Sequence, residues 1–580
     1  MMDWRASTEL AKALNLHPVT ARWLVARGLS DVARVESFLH PKLADLRRPD
    51  GLAGLSEAVQ RLSAAVKSGE TVGVFGDYDV DGVSGAALIS SFLGDLRVPT
   101  HVRVASREAG YGFGREDAEW FVARNCTLII AVDCGTSDFE TIRFCRTKSI
   151  DVVVVDHHQM ASGGDAGGDH PAVALLNPQR ADSTYPFRGF AAVGLGFFLV
   201  VALRTSLRKD GWFTAGRVEP DARLLLDLVA LGTIADLAPL CEENRALVKA
   251  GLRELQARRR PGMAALLDVA GIEPGKQVDE IDIGWRLGPR LNAPGRMGDA
   301  TPALELLCSR DLASANQRAI ACEEANVRRR ALQDEVFQQA CSQAEGLDGV
   351  GVGVGADRSA VVVAADNWHP GVLGIVAAKL TERYRRPAAV ISIDQSRGRG
   401  RGSVRSIEGL HVFRALSSCR EHLVGYGGHA RAGGFTVDAA KMDDFRCALK
   451  KALALPAGDA TTGVSLEIDT AVALDEVDVV LTTELRSLAP FGEGNQEPLL
   501  VAPGAVVRQT WRVGQEGGHL KMLLECPRSG AVRSAIGFNM GSRSPGVGSQ
   551  IDVAFVPEVS VWQGQTRVEL RVRDLRPAQT

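Results

Sequence analysis

Three aspartates stand at alternate positions, Asp77, Asp79 and Asp81, in the stretch GVFGDYDVDGVSG. Were that stretch to continue as a strand, the three carboxylates would share one face, and their repulsion would call for a cation. Asp133 follows the apolar run CTLIIAV, and Asp156, His157 and His158 follow DVVVV. Taken singly, such an aspartate is more often a helix N-cap than a ligand, and such a histidine more often a satisfied hydrogen-bonding residue. Three acidic groups behind three apolar runs make metal binding the better reading. Carboxylates with imidazoles suit Mn2+ or Mg2+ rather than structural zinc, because hard cations take oxygen ligands and manganese also accepts histidine. Two such ions roughly 3.5–4 Å apart would activate a water and stabilise the leaving oxygen of a phosphoester hydrolysis.

The elements that must position these groups read as a βα alternation. TVGVF (71–75), CTLIIAV (126–132) and DVVVV (151–155) are β-rich runs separated by helix-length segments, the pattern of a parallel sheet covered on both faces. Acids at the carboxyl ends of such strands converge in the crevice where open α/β sheets bind ligands. Residues 1–70 read as helical, and DARLLLDLVALGTIAD as an apolar helix ending near Gly232. Residues 311–345 contain neither Gly nor Pro, so one long helix of about 50 Å is expected there as a spacer. A second βα set runs from AVVVAAD to about residue 455, LPAGDATTG (455–463) reads as a linker, and the closely spaced β runs after residue 464 suggest a small barrel, with an OB-fold favoured. GVGVGVG (349–355) fits no phosphate-binding loop and reads as a connector.

Composition bounds the rest. The chain has 580 residues, 45% of them hydrophobic, enough for three or four domains. A net charge of −3 argues against indiscriminate polyanion binding, yet allows a local basic channel. Ten cysteines without a CxxC pair suggest neither a zinc ribbon nor a disulfide framework. No run approaches the ~18 apolar residues of a membrane span, and the first residues carry charges where a signal peptide would be apolar, so a cytoplasmic location is expected.

GDYDVDG (76–82), VDCG (132–135), DHH (156–158) and GTIAD (232–236) together resemble the four signature motifs of the DHH phosphoesterase superfamily. GPRLNAPGRMGDA (288–300), WHPGVLGIVAAKL (368–380), GSVRS (402–406), GGHARAGG (427–434) and LAPFGEGNQEP (488–498) are similar to its RecJ family, from about residue 45 to the C-terminus. The resemblance implies an N-terminal helical segment (1–50), a DHH catalytic domain (51–310), a connecting helix (311–345), an α/β DHHA1 domain (346–455) and an OB-fold DNA-binding domain (464–580). It assigns two metals to Asp79, Asp81, Asp133, His157 and Asp236, with Asp133 bridging and Asp77 supporting the first metal. His158 would face the scissile phosphate and Asp156 would orient His157, so that Asp81, Asp133, His157 and His158 form the catalytic group. The implied activity is 5′→3′ exonucleolytic hydrolysis of single-stranded DNA to 5′-mononucleotides in recombination and repair. The implied partners are a single-strand-binding protein and a helicase, and the implied state is a monomer. The competing readings are a superfamily phosphodiesterase acting on short oligoribonucleotides or cyclic dinucleotides, which needs no barrel, and a DHH-derived scaffold whose ligands have decayed.

A single strand is held by basic groups and aromatic platforms. Candidate DNA contacts are Arg107 and Tyr111 in SREAGYGF, with Phe113 beside them, and Arg290, Asn292 and Arg296. Ser403 and Arg405, in a glycine-flanked loop, and His429 would grip a terminal phosphate. Ordinary surface, ion-pair or capping roles compete with each. In the barrel, Trp511, Lys521, Phe538 and Trp562 are expected to pack more than to stack.

Overall fold

Five short strands, β1 (Val72–Gly76), β2 (Thr100–Val104), β3 (Leu128–Val132), β4 (Asp151–Val155) and β5 (Ala174–Leu176), form a wholly parallel sheet in the order β2-β1-β3-β4-β5 in the computed structural model. The structure describes residues 4–107, 110, 112–160, 170–347, 360–454, 466–562 and 565–578. Every residue of β1 and β3 is buried, as expected for apolar runs sandwiched by crossover helices. β2 and β5 lack such a run and escape a reading by hydrophobic pattern: THVRV has only its last residue buried, and β5 is three residues long. The strand order reverses between β1 and β3, so the crevice at that switch point opens between the segments that carry Asp77 and Asp133.

The acidic stretch does not continue as a strand. β1 stops at Gly76 and the helix Val80–Asp95 starts four residues later, so Asp77 lies in the turn, Asp79 is the N-cap and Asp81 sits in the first helical turn. A Cβ at Gly82 would come within 2.5 Å of the Asp77 backbone nitrogen, so glycine there lets the helix close onto the strand end. The apolar helix Leu226–Ala235 runs past Gly232 and ends with Asp236 as its C-cap. Gly232 serves packing rather than termination, since a Cβ would meet Ser84 and stand 3.0 Å from Asp81 Oδ1.

The helix Leu312–Leu347 has 36 residues, about 54 Å at 1.5 Å each. Ala315, Ala319 and Cys322 enter the core around the first sheet, whereas Val336, Ala340 and Ala344 enter that of the next. The second sheet takes β6 (Val361–Asp366), β7 (Ala388–Asp394), β8 (Arg399–Arg405), β9 (Leu423–Gly428) and β10 (Ala432–Asp438) in the order β6-β7-β8-β10-β9, parallel only between β6 and β7. RGRGSVR is thus a strand inside the sheet and not a loop. Gly400, Gly402 and Val404 point into the core, and a side chain at Gly402 would collide with Phe435, so the glycines make room for an aromatic layer.

Beyond it, β11 (Thr470–Ala471), β12 (Leu500–Val513), β13 (His519–Glu525), β14 (Val532–Gly537), β15 (Gln550–Trp562) and β16 (Gln565–Pro577) follow the order β11-β12-β13-β14-β16-β15, and pairing of β12 with β15 closes the barrel. Its core is not its own. Leu10, Val19, Trp23, Leu24 and Val35 from the first three helices pack with Leu481, Leu500, Met522 and Phe555. Leu43 and Leu46 pack instead against the core around the first sheet.

Candidate metal centre and nucleic-acid interface

At the switch point, side chains from four segments meet. Donor atoms fall into three groups, each within 4.8 Å: Asp77, Asp79 and Asp133; Asp81, His157 and Asp236; and Asp133, His157 and His158. His157 Nε2 lies 3.3 Å from Asp133, 3.7 Å from Asp236 and 3.9 Å from Asp81. Asp133 belongs to two groups, the placement that a bridging carboxylate needs. Its backbone has φ +62°, a left-handed conformation uncommon outside glycine and often met at functional sites.

The supporting contacts explain how like charges stay together. Asp79 Oδ1 accepts from the backbone N–H of Asp81 and Gly82 at 3.0 and 3.1 Å, so Asp79 is also the helix cap that its residue type suggests. Asp81 accepts from the N–H groups of Ala192 (2.6 Å) and Val193 (2.9 Å) at the start of the helix Ala192–Lys209, where the dipole favours negative charge. These bonds do not offset the crowding. Burial, with Asp236 next in effect, pushes Asp81 up to about 7. Burial and then Asp79 push Asp236 up to about 7 as well, and Asp77 and Asp133 are raised by burial and then by Asp79. Asp77 Oδ1 and His157 Nε2 are buried without a hydrogen-bond partner. Carboxylates whose charge is opposed by burial and by one another, with buried donor atoms turned together, fit divalent cations that would restore that charge, and the oxygen-rich set with one or two imidazoles suits Mn2+ or Mg2+.

Asp156 corrects one expectation, since it orients His158 and not the ring of His157. Its Oδ1 lies 2.7 Å from His158 Nδ1 and accepts from the backbone N–H of His157 and His158, while Oδ2 accepts from Thr136 N–H at 3.1 Å. Burial acts against the charge on His158, but the Asp156 carboxylate prevails and pushes the imidazole up to about 9, while Asp156 itself is held well below its usual range. Asn177 bonds Thr136 Oγ1 and the His158 carbonyl and fixes the turn, a contribution that the motif alone does not reveal.

A basic group adjoins the acids. The Arg107 guanidinium lies 4.4 Å from the centre of the Tyr78 ring, and its Nε donates to the Gly295 carbonyl. Burial, then Arg107 and Arg329, push Arg296 down to about 10. Asn292, Arg296 and Arg329 line one cavity beside Leu237. Arg290 is engaged by Glu323 of the long helix at 2.6 Å, the ordinary ion-pair alternative. Arg329 and His369 were not singled out by the sequence: Arg329 lies in a helix read as a spacer, and His369, lowered by burial and then by Arg107, lies in a quoted motif without a role. Tyr111 lies outside the described residues, and Phe113 is core, packed 5.0 Å from Phe75.

Ser403 and Arg405 sit side by side on β8, with Arg405 Nη1 donating to Ser403 Oγ at 2.9 Å. Burial lowers Arg405, and burial with Arg405 next lowers His429, so His429 senses the same pocket. The segment 369–374 ties this pocket to the first domain. A Cβ at Gly371 would strike the Arg296 carbonyl, and one at Gly374 would stand 2.8 Å from Arg405 Nη2. On the barrel, Trp511 is 43% exposed and Phe538 53%, and Lys521 pairs with Trp511 in register. The expectation that Trp511 and Phe538 pack in a core is therefore overturned; the Trp562 side chain lies outside the described residues.

Profiles described as the DHH family N-terminal domain, the DHHA1 domain and the RecJ OB domain match residues 71–233, 357–455 and 468–574. A Dickeya dadantii protein named single-stranded-DNA-specific exonuclease RecJ is 33% identical over 99% of this chain and 98% of its own length. The chain belongs to the RecJ family. A Bacillus subtilis RecJ is 32% identical over 97% of this chain and 69% of its own. The crystal structure of Thermus thermophilus RecJ in complex with Mn2+ superposes with a TM-score of 0.81 at 28% identity, covering 100% of this chain and 78% of that one. A Mg2+ complex of the same protein gives a TM-score of 0.75. The fold is therefore that of RecJ: a parallel-sheet domain, a second α/β domain and a C-terminal barrel consistent with an OB-fold.

Proposed function

We propose that this RecJ-family chain is a single-strand-specific DNA exonuclease that works from the 5′ end and releases 5′-mononucleotides by phosphodiester hydrolysis in DNA recombination and repair. The observation that carries the reading is the meeting of Asp77, Asp79, Asp81, Asp133, His157 and Asp236 at one switch point, beside a cluster of arginines. Two divalent cations, Mn2+ or Mg2+, supply there the positive charge needed at the attacking and leaving oxygens. Asp77, Asp79 and Asp133 would hold one ion and Asp81, His157 and Asp236 the other, with Asp133, 3.3 Å from His157 Nε2, as the carboxylate that could serve both. Asp156 keeps His158 as imidazolium, a charge-assisted donor for an oxygen of the scissile phosphate. Arg107, Asn292 and Arg296 carry the backbone near the cleavage point, and Arg290, through its Glu323 pair, supports that wall. Ser403, Arg405 and His429 close the cleft at the terminal phosphate. The barrel, with Trp511 and Phe538 exposed, holds the strand on the 3′ side of the cleavage point, which disfavours a phosphodiesterase limited to dinucleotides.

Among the described residues no helix is long and apolar enough to cross a membrane. Action as a monomer in the cytoplasm, on single strands supplied by a helicase and coated by a single-strand-binding protein, completes the proposal. End-labelled strands test it: 5′-phosphorylated single strands should be shortened to mononucleotides and duplexes spared, with Asp133→Ala inactive yet still binding DNA. An Asp133→Ala protein that is folded and turns over at the wild-type rate with Mn2+ would sink the two-ion assignment.

A further inference from the structure

Large apolar side chains exposed singly need no explanation, but a row of them leading away from a reaction centre does. Leu237 directly follows Asp236, is 74% exposed and holds φ +58°, a left-handed conformation in which a bulky residue is rare. It lines a cavity of about 190 Å3 together with Gly284, Gly288 and Arg296. Trp285, next to Gly284, is 80% exposed, the largest apolar side chain left so open among the described residues. It lies in a π-helical turn, Ile283–Leu287, a distortion met often at functional sites. No atom lies within 4 Å of where a Cβ on Gly284 would be, so packing does not require glycine there, and the backbone preceding Trp285 is left bare on the side of the cavity that Leu237 lines. One turn back, exposed Ile281 lines a second cavity with Val559 of the barrel. The row therefore runs from the metal centre to the barrel, the interval that a strand engaging both must cross. Charge at the metal-centre end suits a polyanion: Arg296 lines the first cavity, and Arg329 beside it bonds Gln333 and Asn326 rather than a carboxylate, whereas Asp279, Glu497 and Glu558 line the second, so a strand there would meet the apolar side chains rather than a basic wall.

We infer that Leu237 and Trp285 form a shelf for the bases of single-stranded DNA between the metal centre and the barrel, with the Trp285 indole as a stacking platform. Basic walls with an aromatic face are how single strands are held without regard to sequence, because every base has a π-face. The inference rests on the exonuclease reading, so the test separates the two. Affinity of the full-length protein for a labelled oligonucleotide spanning cleft and barrel is measured in EDTA, for wild type, Trp285→Ala and Trp285→Phe, on intact strands and on strands carrying one abasic site at each position in turn. Trp285→Ala should bind the intact strand roughly 5- to 150-fold more weakly, with Trp285→Phe retaining most of the affinity. One abasic position should weaken the wild type and cost Trp285→Ala nothing further. Equal affinity of wild type and Trp285→Ala, or a loss in Trp285→Ala that adds to that of every abasic site, overturns the shelf alone. A wild-type protein that binds no single strand overturns the exonuclease reading and the shelf with it.

Discussion

Among the individual residues, the Asp156–His158 pair shows best how a motif divides its work. Three consecutive letters, Asp-His-His, do three things: the carboxylate bonds three backbone amides and one ring, His157 turns into the acidic cluster, and His158 stays half-exposed and positively charged. The letters alone permit Asp156 to orient either imidazole, and only the turn geometry assigns His158. A pH profile tests the assignment. Against burial, the Asp156 carboxylate pushes the His158 imidazole up to about 9, which keeps the imidazolium through neutral pH and loses it above that value. Asp156→Asn keeps the shape but removes the charge, and the His158 pKa should fall toward ~6.5. The variant should then match wild type most closely near pH 6 and lose about tenfold or more of its kcat by pH 8, as the ring goes neutral where the wild-type ring does not. Parallel pH profiles for the two proteins would remove the charge of His158 from the mechanism.

Among the elements, legibility followed side-chain periodicity. Strands β1, β3 and β4 are apolar runs with acids behind them, and both features survive in the sequence. β8 alternates strictly, yet its inward positions are mostly glycine, so the period-two signal carries little hydrophobicity and reads as a loop. Phe435, thirty-odd residues later, supplies the bulk that the glycines omit, and no local window contains both. Strand placement sharpens the phosphate hypothesis. Arg405 is fixed by Ser403 on a rigid element, is half-buried, and makes no carboxylate ion pair among the described residues. Charge-assisted bonds contribute about 1.5–3 kcal/mol. Arg405→Ala should therefore slow cleavage of 5′-phosphorylated strands by about tenfold or more, with a smaller loss on 5′-hydroxyl strands. Equal losses on both substrates would place Arg405 outside the terminal-phosphate pocket.

For the whole molecule, the boundary that matters lies where the sequence offers no linker. Residues 4–39 precede the catalytic domain in the chain but share one core with the barrel at its far end. Hydrophobic pattern marks these helices as amphipathic without saying what covers them, and the covering residues are more than 400 positions away. Arg245 adds a three-way tie: it donates to the carbonyls of Phe38, Leu488 and Ala489, while Arg486 pairs with Glu280. Arg47, by contrast, pairs with Glu242 and Glu243, and Glu243 also accepts from Tyr185, so residues from about 41 onward belong with the catalytic domain. Deleting residues 464–580 alone should thus expose the apolar face of the first three helices and give a protein that aggregates or melts early. Removing residues 1–40 together with 464–580 should give a more soluble core with native-like circular dichroism. That core should bind long single strands more weakly and with a flatter dependence of log affinity on log salt, because the phosphates neutralised by the barrel no longer release counterions. It should retain slow cleavage of oligonucleotides short enough to lie within the first two domains. Should the folded core bind long strands as tightly as the full chain at every salt concentration, the barrel and its helical partner would not be a DNA clamp, and their shared surface would have to serve another macromolecule.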